Sequence, residues 1–432
     1  MLKGENIVTS KGFLRVENFL VLEKAEININ KINIIIGPQA NGKSIIAKLV
    51  SFFNSLSNDF FDFVLNDETK RNLDKLILTK FEERFPRYAW DKTDFVISYD
   101  IEGINFEVRG KKGKTGKTLL NIKYNDDFFN LLKKLRTTLN RELAKKNEKE
   151  KLGSMDFKSE RDTAYSVVSP KLKEKYPYFF SETIFIPASR SFFANLQKNI
   201  FTFLASNIEI DPFLKDFGRR YETSKYFSAS TAFEYTGRAH KGTNNEIENI
   251  ILAIVKGKYE YKEDQDWLVH SGKRVNLLNA SSGQQESLPM LLVLKVWPRL
   301  LDDQELMLFI EEPEAHLFPN SQNHILSLLS TVHRNLGTNF FITTHSPYIL
   351  AALNNLILAS EKIKEGRLTS EEFKEMNSGF GEPIDFEDVS AYTINEGKSQ
   401  SIIDTEYKMV GGDMLDSISE HFDDVMNQLI SL

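Results

Sequence analysis

An α/β fold is what this sequence predicts: a mixed, mostly parallel sheet carrying an antiparallel β subdomain and a helical lobe. Three observations lead there. Short apolar runs at 32–36, 306–310 and 339–343 are each followed by a helical pattern, and strands alternating with helices imply a parallel sheet covered on both faces. Residues 95–124 alternate apolar and polar side chains around a glycine- and lysine-rich turn, which marks an antiparallel hairpin. Residues 195–270 read as mostly helical, with Phe and Tyr at core-like spacing.

Residues 13–36 give two or three strands, the last running Ile32–Ile36, and a helix is expected from Ser44 to about Asn54. Residues 55–180 read as an insertion. Within it a strand from Phe95 to Val108 breaks near Gly103, a turn spans 110–117, and a strand runs Leu119–Tyr124. A Lys-rich helix follows from Phe128 to Lys151. The run from Thr183 to Pro187 returns the chain to the sheet, and a hairpin is expected at Val389–Ile402 with a short acidic helix after it. The expected division is therefore 1–54 (first part of the core), 55–180 (insertion with hairpin and basic helix), 181–278 (return strand and helical lobe), 279–360 (second part of the core) and 361–432 (acidic C-terminal segment with hairpin).

With 41% hydrophobic and 27% charged residues among 432, a disordered or fibrous chain is excluded. Cysteine is absent, so there is no disulfide framework, thiolate chemistry or cysteine–zinc site. The chain starts without an apolar leader, and no apolar run approaches the ~20 residues needed to span a bilayer. A cytoplasmic protein without membrane contact is expected. The net charge of −6 conceals an asymmetry: residues 105–150 hold 13 Lys and Arg against 6 Asp and Glu, and residues 351–432 hold 6 against 17. Two solvated faces is the plain interpretation; nucleic acid at the basic stretch and a basic partner at the acidic one is the sharper one.

Gly37, Pro38, Gln39, Ala40, Asn41, Gly42, Lys43 and Ser44 fit G-x-x-x-x-G-K-[ST] between an apolar strand and a helix start. Loop N–H groups and the positive helix end, which continues into Ile45, suit phosphates. Lys43 would reach the β- and γ-phosphates and the Ser44 hydroxyl would ligate Mg²⁺. A chain with 22 glycines yields only about 0.01 chance matches to this pattern. The similar run from Gly110 to Thr118 has five residues between its outer glycines instead of four and joins two strands, so it reads as a basic hairpin tip.

Glu311 and Glu312 end the apolar run 306–310. Adjacent anions there are costly without a cation. With a phosphate loop in the same chain, Glu311 suits Mg²⁺ and Glu312 suits a general base for the attacking water. Ser281, Ser282, Gly283 and Gln284 open a further helix, with Ser282 expected as its cap and Gln285 completing a capping box. A serine–glycine helix start is itself an anion site, and Pro289 is expected to kink the helix. His345 ends the run 339–343 ahead of Ser346, a cap, and Pro347, a first helical residue; it could donate to a γ-phosphate.

With these four elements in this order, the chain resembles the ABC-type ATPases. Within them it is similar to the branch of the OLD nucleases and of the ATPase subunits of anti-phage systems such as Septu, PARIS and the retron-associated ones. The carriers are the Gly37–Ser44 loop, Ser281–Gln284, the run from Ile310 to Leu317 with Glu before the catalytic acid, and the run from Thr343 to Pro347. The resemblance covers residues 13–55 and 181–350. It implies an ABC-type head in which ATP with Mg²⁺ is held between two protomers, Ser281–Gln284 of one closing over the phosphate loop of another, with Ala315–Leu317 at the seam. It also implies catalytic roles for Lys43, Glu312 and His345. The family's glutamine-loop residue has no match; Arg190 or Ser189 stands at about its place, as a contact for the γ-phosphate or its water.

OLD nucleases continue into a Toprim domain, opened by a strand ending in Glu-Gly. Glu396 and Gly397 match that dipeptide, but only 36 residues follow Glu396, without an Asp-x-Asp pair. A hairpin turn is expected there, and no nuclease domain of the chain's own. The resulting expectation is an ATP hydrolase that forms a homodimer or higher oligomer and controls a separate effector, a nuclease or toxin, in anti-phage defence. The alternative is a RecF- or SMC-like ATPase clamping DNA through 105–150. A third possibility, a structural ATP clamp without turnover, is disfavoured by the intact Glu312.

Overall fold

Alternating burial along residues 12–29 folds as two strands, β1 (Gly12–Phe19) and β2 (Leu22–Ile29), while β3 (Ile32–Ile36) is buried at every position. The computed structural model describes residues 10–66, 68–114, 116–151, 159–196, 210–229, 241–301 and 305–412. In chain order the next strands are β4 (Phe95–Ile101), β5 (Ile104–Lys112), β6 (Thr118–Tyr124), β7 (Glu182–Ile186), β8 (Lys258–Lys262), β9 (Gln265–His270) and β10 (Lys273–Asn276). They are followed by β11 (Leu306–Glu311), β12 (Thr338–Thr344), β13 (Val389–Asn395) and β14 (Lys398–Ser401).

Two compact units result. The first holds residues up to Ile29, Ile45–Thr183 and Glu396–Ser399; the second holds Asn30–Ser44, Ile184–Asn395 and the residues from Gln400 onward. In the first unit β6, β5, β4, β1 and β2 lie side by side and antiparallel. One face of this sheet meets an aromatic core. Phe53 stacks on Tyr99, Phe60 meets Phe106 and Phe128, and Phe81 meets Phe19 and Phe85. Such rings bury large apolar areas in few residues. The basic helix runs Asp126–Lys151. Its Arg136 faces inward, donating to the Glu68 and Phe63 carbonyls with its guanidinium 3.8 Å from the Phe63 ring centre. Arg136 is thus tied into the fold, while Lys133 and Lys134 on the same helix are exposed.

In the second unit the strand order is β13, β3, β12, β11, β7, with β13, β3, β12 and β11 mutually parallel. Register decides what gathers at their carboxyl ends. Ile36 pairs with Thr344 and Thr393, and Glu311 with Thr343. The Gly37 loop, the acid pair and His345 therefore leave the sheet at one level, the end where ligands bind in parallel sheets.

The helix after the loop runs Lys43–Leu65, well past Asn54. Helices Pro212–Ala229 and Lys241–Val255 agree with the helical pattern, but residues 258–276 do not. They form a three-stranded antiparallel sheet, β10–β9–β8. Charged side chains mask its alternation, and β9 buries one polar and one apolar residue: Leu268 joins the hydrophobic core, while fully buried Asp266 accepts hydrogen bonds from the hydroxyls of Tyr221 (2.8 Å) and Tyr259 (2.6 Å). The helix Ser282–Leu300 continues through Pro289 and Pro298. At the expected hairpin, Glu396 (φ 48°) and Gly397 (φ 73°) are both left-handed, as a two-residue hairpin turn requires, and Ile402 N–H donates to the Ala391 carbonyl. The acidic helix expected after it falls outside the described residues. No described helix is long and apolar enough to cross a membrane.

Candidate functional site

The loop between β3 and the Lys43–Leu65 helix turns through three left-handed residues, Gly37 (φ 149°), Ala40 (φ 62°) and Gly42 (φ 99°). Gly37 is also confined sterically: a Cβ there would stand 2.6 Å from the Ile394 carbonyl oxygen. Pro38, Gln39, Ala40 and Ser44 are exposed, Asn41 and Ile45 half-buried, and Gly42 and Lys43 buried. Asn41 donates to the Ile394 carbonyl at 3.4 Å.

The Lys43 ammonium donates to the Gly37 (2.7 Å) and Pro38 (2.6 Å) carbonyls and lies 3.2 Å from His345 Nδ1. The other ring nitrogen, Nε2, lies 2.9 Å from Glu312 Oε1. These contacts are met together when Nε2 carries the ring proton and Nδ1 accepts from Lys43, an assignment made from the network. Gly37 O, 3.0 Å from Nδ1, then shares the same ammonium donor. Burial pulls the Lys43 ammonium below its ordinary 10.5, and the Glu312 and Glu314 carboxylates push back.

Glu311 ends β11 and is buried. Its Oε2 accepts from Ala188 N–H (3.1 Å), while Oε1 has no partner among the described residues. A buried carboxylate oxygen without a donor is costly and suits a hard cation. Among the described residues no group of three or more His, Cys, Asp or Glu could hold a metal. Mg²⁺, where it binds with a nucleotide, commonly takes only one or two carboxylates and completes its shell with phosphate oxygens and water. Glu312 follows in a left-handed conformation (φ 45°), with its N–H on the Thr343 carbonyl at 2.8 Å.

Sequence reasoning missed Glu314. Buried, it accepts from the Thr344 hydroxyl (2.7 Å) and the His345 N–H (2.8 Å), fixing the residue that carries the imidazole. The acid two residues after Glu312 in the Glu-Glu-Pro-Glu run was the available signal. Gln322 was missed too; it accepts from the Ser346 hydroxyl (2.6 Å) and donates to the Leu317 carbonyl (3.0 Å).

Two expectations are corrected. Arg190 cannot serve as a phosphate contact: its side chain is fully buried, donating to the carbonyls of Glu311 and Glu312 and pairing with Glu286. The cap of the helix Ser282–Leu300 is Ser281, one residue earlier than expected, and its capping box is closed by Gln284. The register shifts because Gln284 also reaches the Val255 carbonyl (2.7 Å), while Gln285 donates to the Leu277 and Leu278 carbonyls. Gln284's side chain is thus committed to the fold, leaving the exposed Ser281 and Ser282 and the half-buried Gly283 at the surface. Gly283 packs on the acid loop, since a Cβ there would lie 2.7 Å from the His316 carbonyl oxygen.

Comparison with known proteins adds the following. A family model described as an AAA ATPase domain (AAA_15) matches residues 12–350. None of the curated proteins matches. Among solved structures, the SMC head bound to the C-terminal winged-helix domain of ScpA is 12% identical, covering 92% of this chain and 99% of that one at a TM-score of 0.39. The SMC head domain from Thermotoga maritima is 11% identical, covering 91% and 98% at 0.32. The recombination mediator protein RecF-ATPrS of the RecFOR pathway is 12% identical, covering 91% and 98% at 0.30.

Proposed function

The chain belongs to the AAA ATPase domain family, and on that premise we propose that it is an ABC-type ATPase that hydrolyses ATP between two copies of itself and uses the cycle to control a separate effector protein. The observation that carries the reading is the unbroken line of contacts Lys43–His345–Glu312, which joins the phosphate loop to the acid at the end of β11. Lys43 neutralises phosphate charge, and Glu312 accepts the proton of the attacking water. His345 holds the Glu312 carboxylate through Nε2 and takes the Lys43 ammonium on Nδ1. Ser44 and Glu311 would hold Mg²⁺, which supplies charge compensation on the phosphates when bound.

Assembly between copies is supported by what a single chain exposes. Ser281 and Ser282 present a capped helix start to solvent, suited to closing over the nucleotide of a second copy. The role in anti-phage defence rests on the Glu311–Leu317 run and its likeness to the OLD-like branch; the effector is then a nuclease or toxin on another chain. The test is ATP turnover by the purified protein, with its mass measured by light scattering with and without ATP. An active wild type and an inactive Glu312→Gln variant that gains mass with ATP support the reading. Turnover unchanged in Glu312→Gln rejects it.

A further inference from the structure

The loop after β7 places Arg190 where three backbone segments converge. Its Nη1 donates to the carbonyls of Glu311 (2.6 Å) and Pro187 (3.1 Å), and Nη2 to the carbonyl of Glu312 (2.9 Å). Nε donates to the Glu286 carbonyl (3.0 Å) and lies 3.3 Å from Glu286 Oε1. The Glu286 carboxylate in turn receives the N–H groups of Arg190 (2.8 Å) and Ser191 (2.9 Å). Arg190 is 0% and Glu286 2% exposed.

We propose that Arg190 and Glu286 are a positioning pair that couples the seating of the helix Ser282–Leu300 to the aim of the Glu312 carboxylate. The proposal rests on the ATPase reading above and adds a regulated geometry to it. Stability alone does not call for an ion pair here, because apolar side chains of the same volume commonly serve a core as well or better. A planar guanidinium offers direction instead: donors in a fixed fork, with little freedom lost per bond.

The direction matters at Glu312. A non-glycine residue at φ 45° persists only where its surroundings over-determine it. Arg190 takes its carbonyl on one side, and the Thr343 carbonyl takes its N–H on the other. The carboxylate that meets His345 is thus aimed by a guanidinium buried beneath it. The opposite end of the pair sits in the second turn of a helix whose exposed start, Ser281–Ser282, is where a second copy's nucleotide would press. A shift of that helix carries Glu286, Glu286 carries Arg190, and Arg190 carries the backbone of both acids. No flexible exposed side chain intervenes.

The experiment compares Arg190→Lys and Glu286→Gln with wild type. Lysine keeps the charge but loses the fork; glutamine keeps the volume and one acceptor. Three quantities are read: kcat and KM for ATP, the Kd for methylanthraniloyl-labelled ATP, and Tm. Each variant is expected to lower kcat by about tenfold or more while Kd changes by less than about twofold, the pattern of a lost transition-state arrangement. Wild-type kcat in both variants overturns the proposal, as does a parallel loss of Kd and Tm, which would mark a purely structural pair. Should Arg190→Lys fail to fold, Glu286→Gln decides; should both fail, the pair is a fold element and the proposal falls. A wild type without ATP turnover overturns the ATPase reading itself and the pair with it, whereas an active wild type with unaffected variants overturns the pair alone.

Discussion

His345 Nε2 stands 2.9 Å from Glu312 Oε1, so the histidine after β12 and the acid after β11 are joined although 33 residues separate them in the chain. Parallel pairing of Glu311 with Thr343 puts the two strand ends side by side, and Glu314 then fixes the His345 N–H. The relationship is built from backbone register and one buried carboxylate.

Removing the Lys43 ammonium should abolish nucleotide binding without unfolding the chain. Lys43→Ala is expected to weaken labelled-ATP binding by about 100-fold or more, as for a charge that meets phosphate directly. Its Tm should stay near wild type, because the carbonyls released from Lys43 belong to a loop whose tip is exposed. Calorimetric titration and thermal unfolding check both halves.

Glu312→Gln keeps the shape of the side chain and a partner for His345 but cannot accept a proton. Turnover should fall by about 10²–10⁴, the usual worth of a general base, with ATP affinity retained. Single-turnover assays with labelled ATP separate the two effects.

Affinity for ATP should decline on the alkaline side before pH 10.5 is reached, because burial pulls Lys43 below that ordinary value. The sign follows from linkage. In the window between the folded and unfolded values only the unfolded chain holds the proton, so stability from this group rises with pH while phosphate binding falls. Lys43→Arg, charged throughout, should flatten the alkaline limb of a binding-against-pH curve.

Gly283→Ala would place a methyl group 2.7 Å from the His316 carbonyl oxygen. The helix start and the acid loop must then separate, at a cost of about 1–3 kcal/mol. Denaturant unfolding measures it; an unchanged midpoint would show that the contact yields freely.

On the basic helix, reversing charge at Lys133 and Lys134 should leave stability within about 0.5 kcal/mol, as exposed positions do. Arg136→Glu should lower Tm clearly, since it breaks bonds to two carbonyls and the contact with Phe63. A nucleic-acid role for this stretch is read from the same variants: DNA affinity that falls steeply with salt and drops in Lys133→Glu/Lys134→Glu supports it, and a flat salt response rejects it.

The phosphate loop was legible because its chemistry is local. Two glycines, a lysine and a serine at fixed spacing after an apolar strand leave little else for the backbone to do. Glu311, Glu312 and His345 were legible for a related reason, each being a polar residue at the end of an apolar run. The sheet β8–β10 was not, because its strands are short and charged and one of the two buried positions of β9 is Asp266, held by two tyrosines, instead of an apolar residue. The Ser281 cap was misplaced by one residue because either serine has a glutamine three positions on; Gln284's second bond, to Val255, selects between them.

What the residues determined alone were the elements and their chemistry: where strands end, which end carries a lysine-bearing glycine loop, and which carry carboxylates and an imidazole. These are nearest-neighbour properties, set by alternation, turn sterics and capping. Tertiary structure alone decided which groups touch. Strand register brought Lys43, His345 and Glu312 into one line, and burial turned Arg190 from an expected γ-phosphate contact into an internal clamp on Glu311, Glu312 and Glu286. A guanidinium's partners depend on which carbonyls the fold leaves facing it, and that arrangement exists only once distant segments have packed.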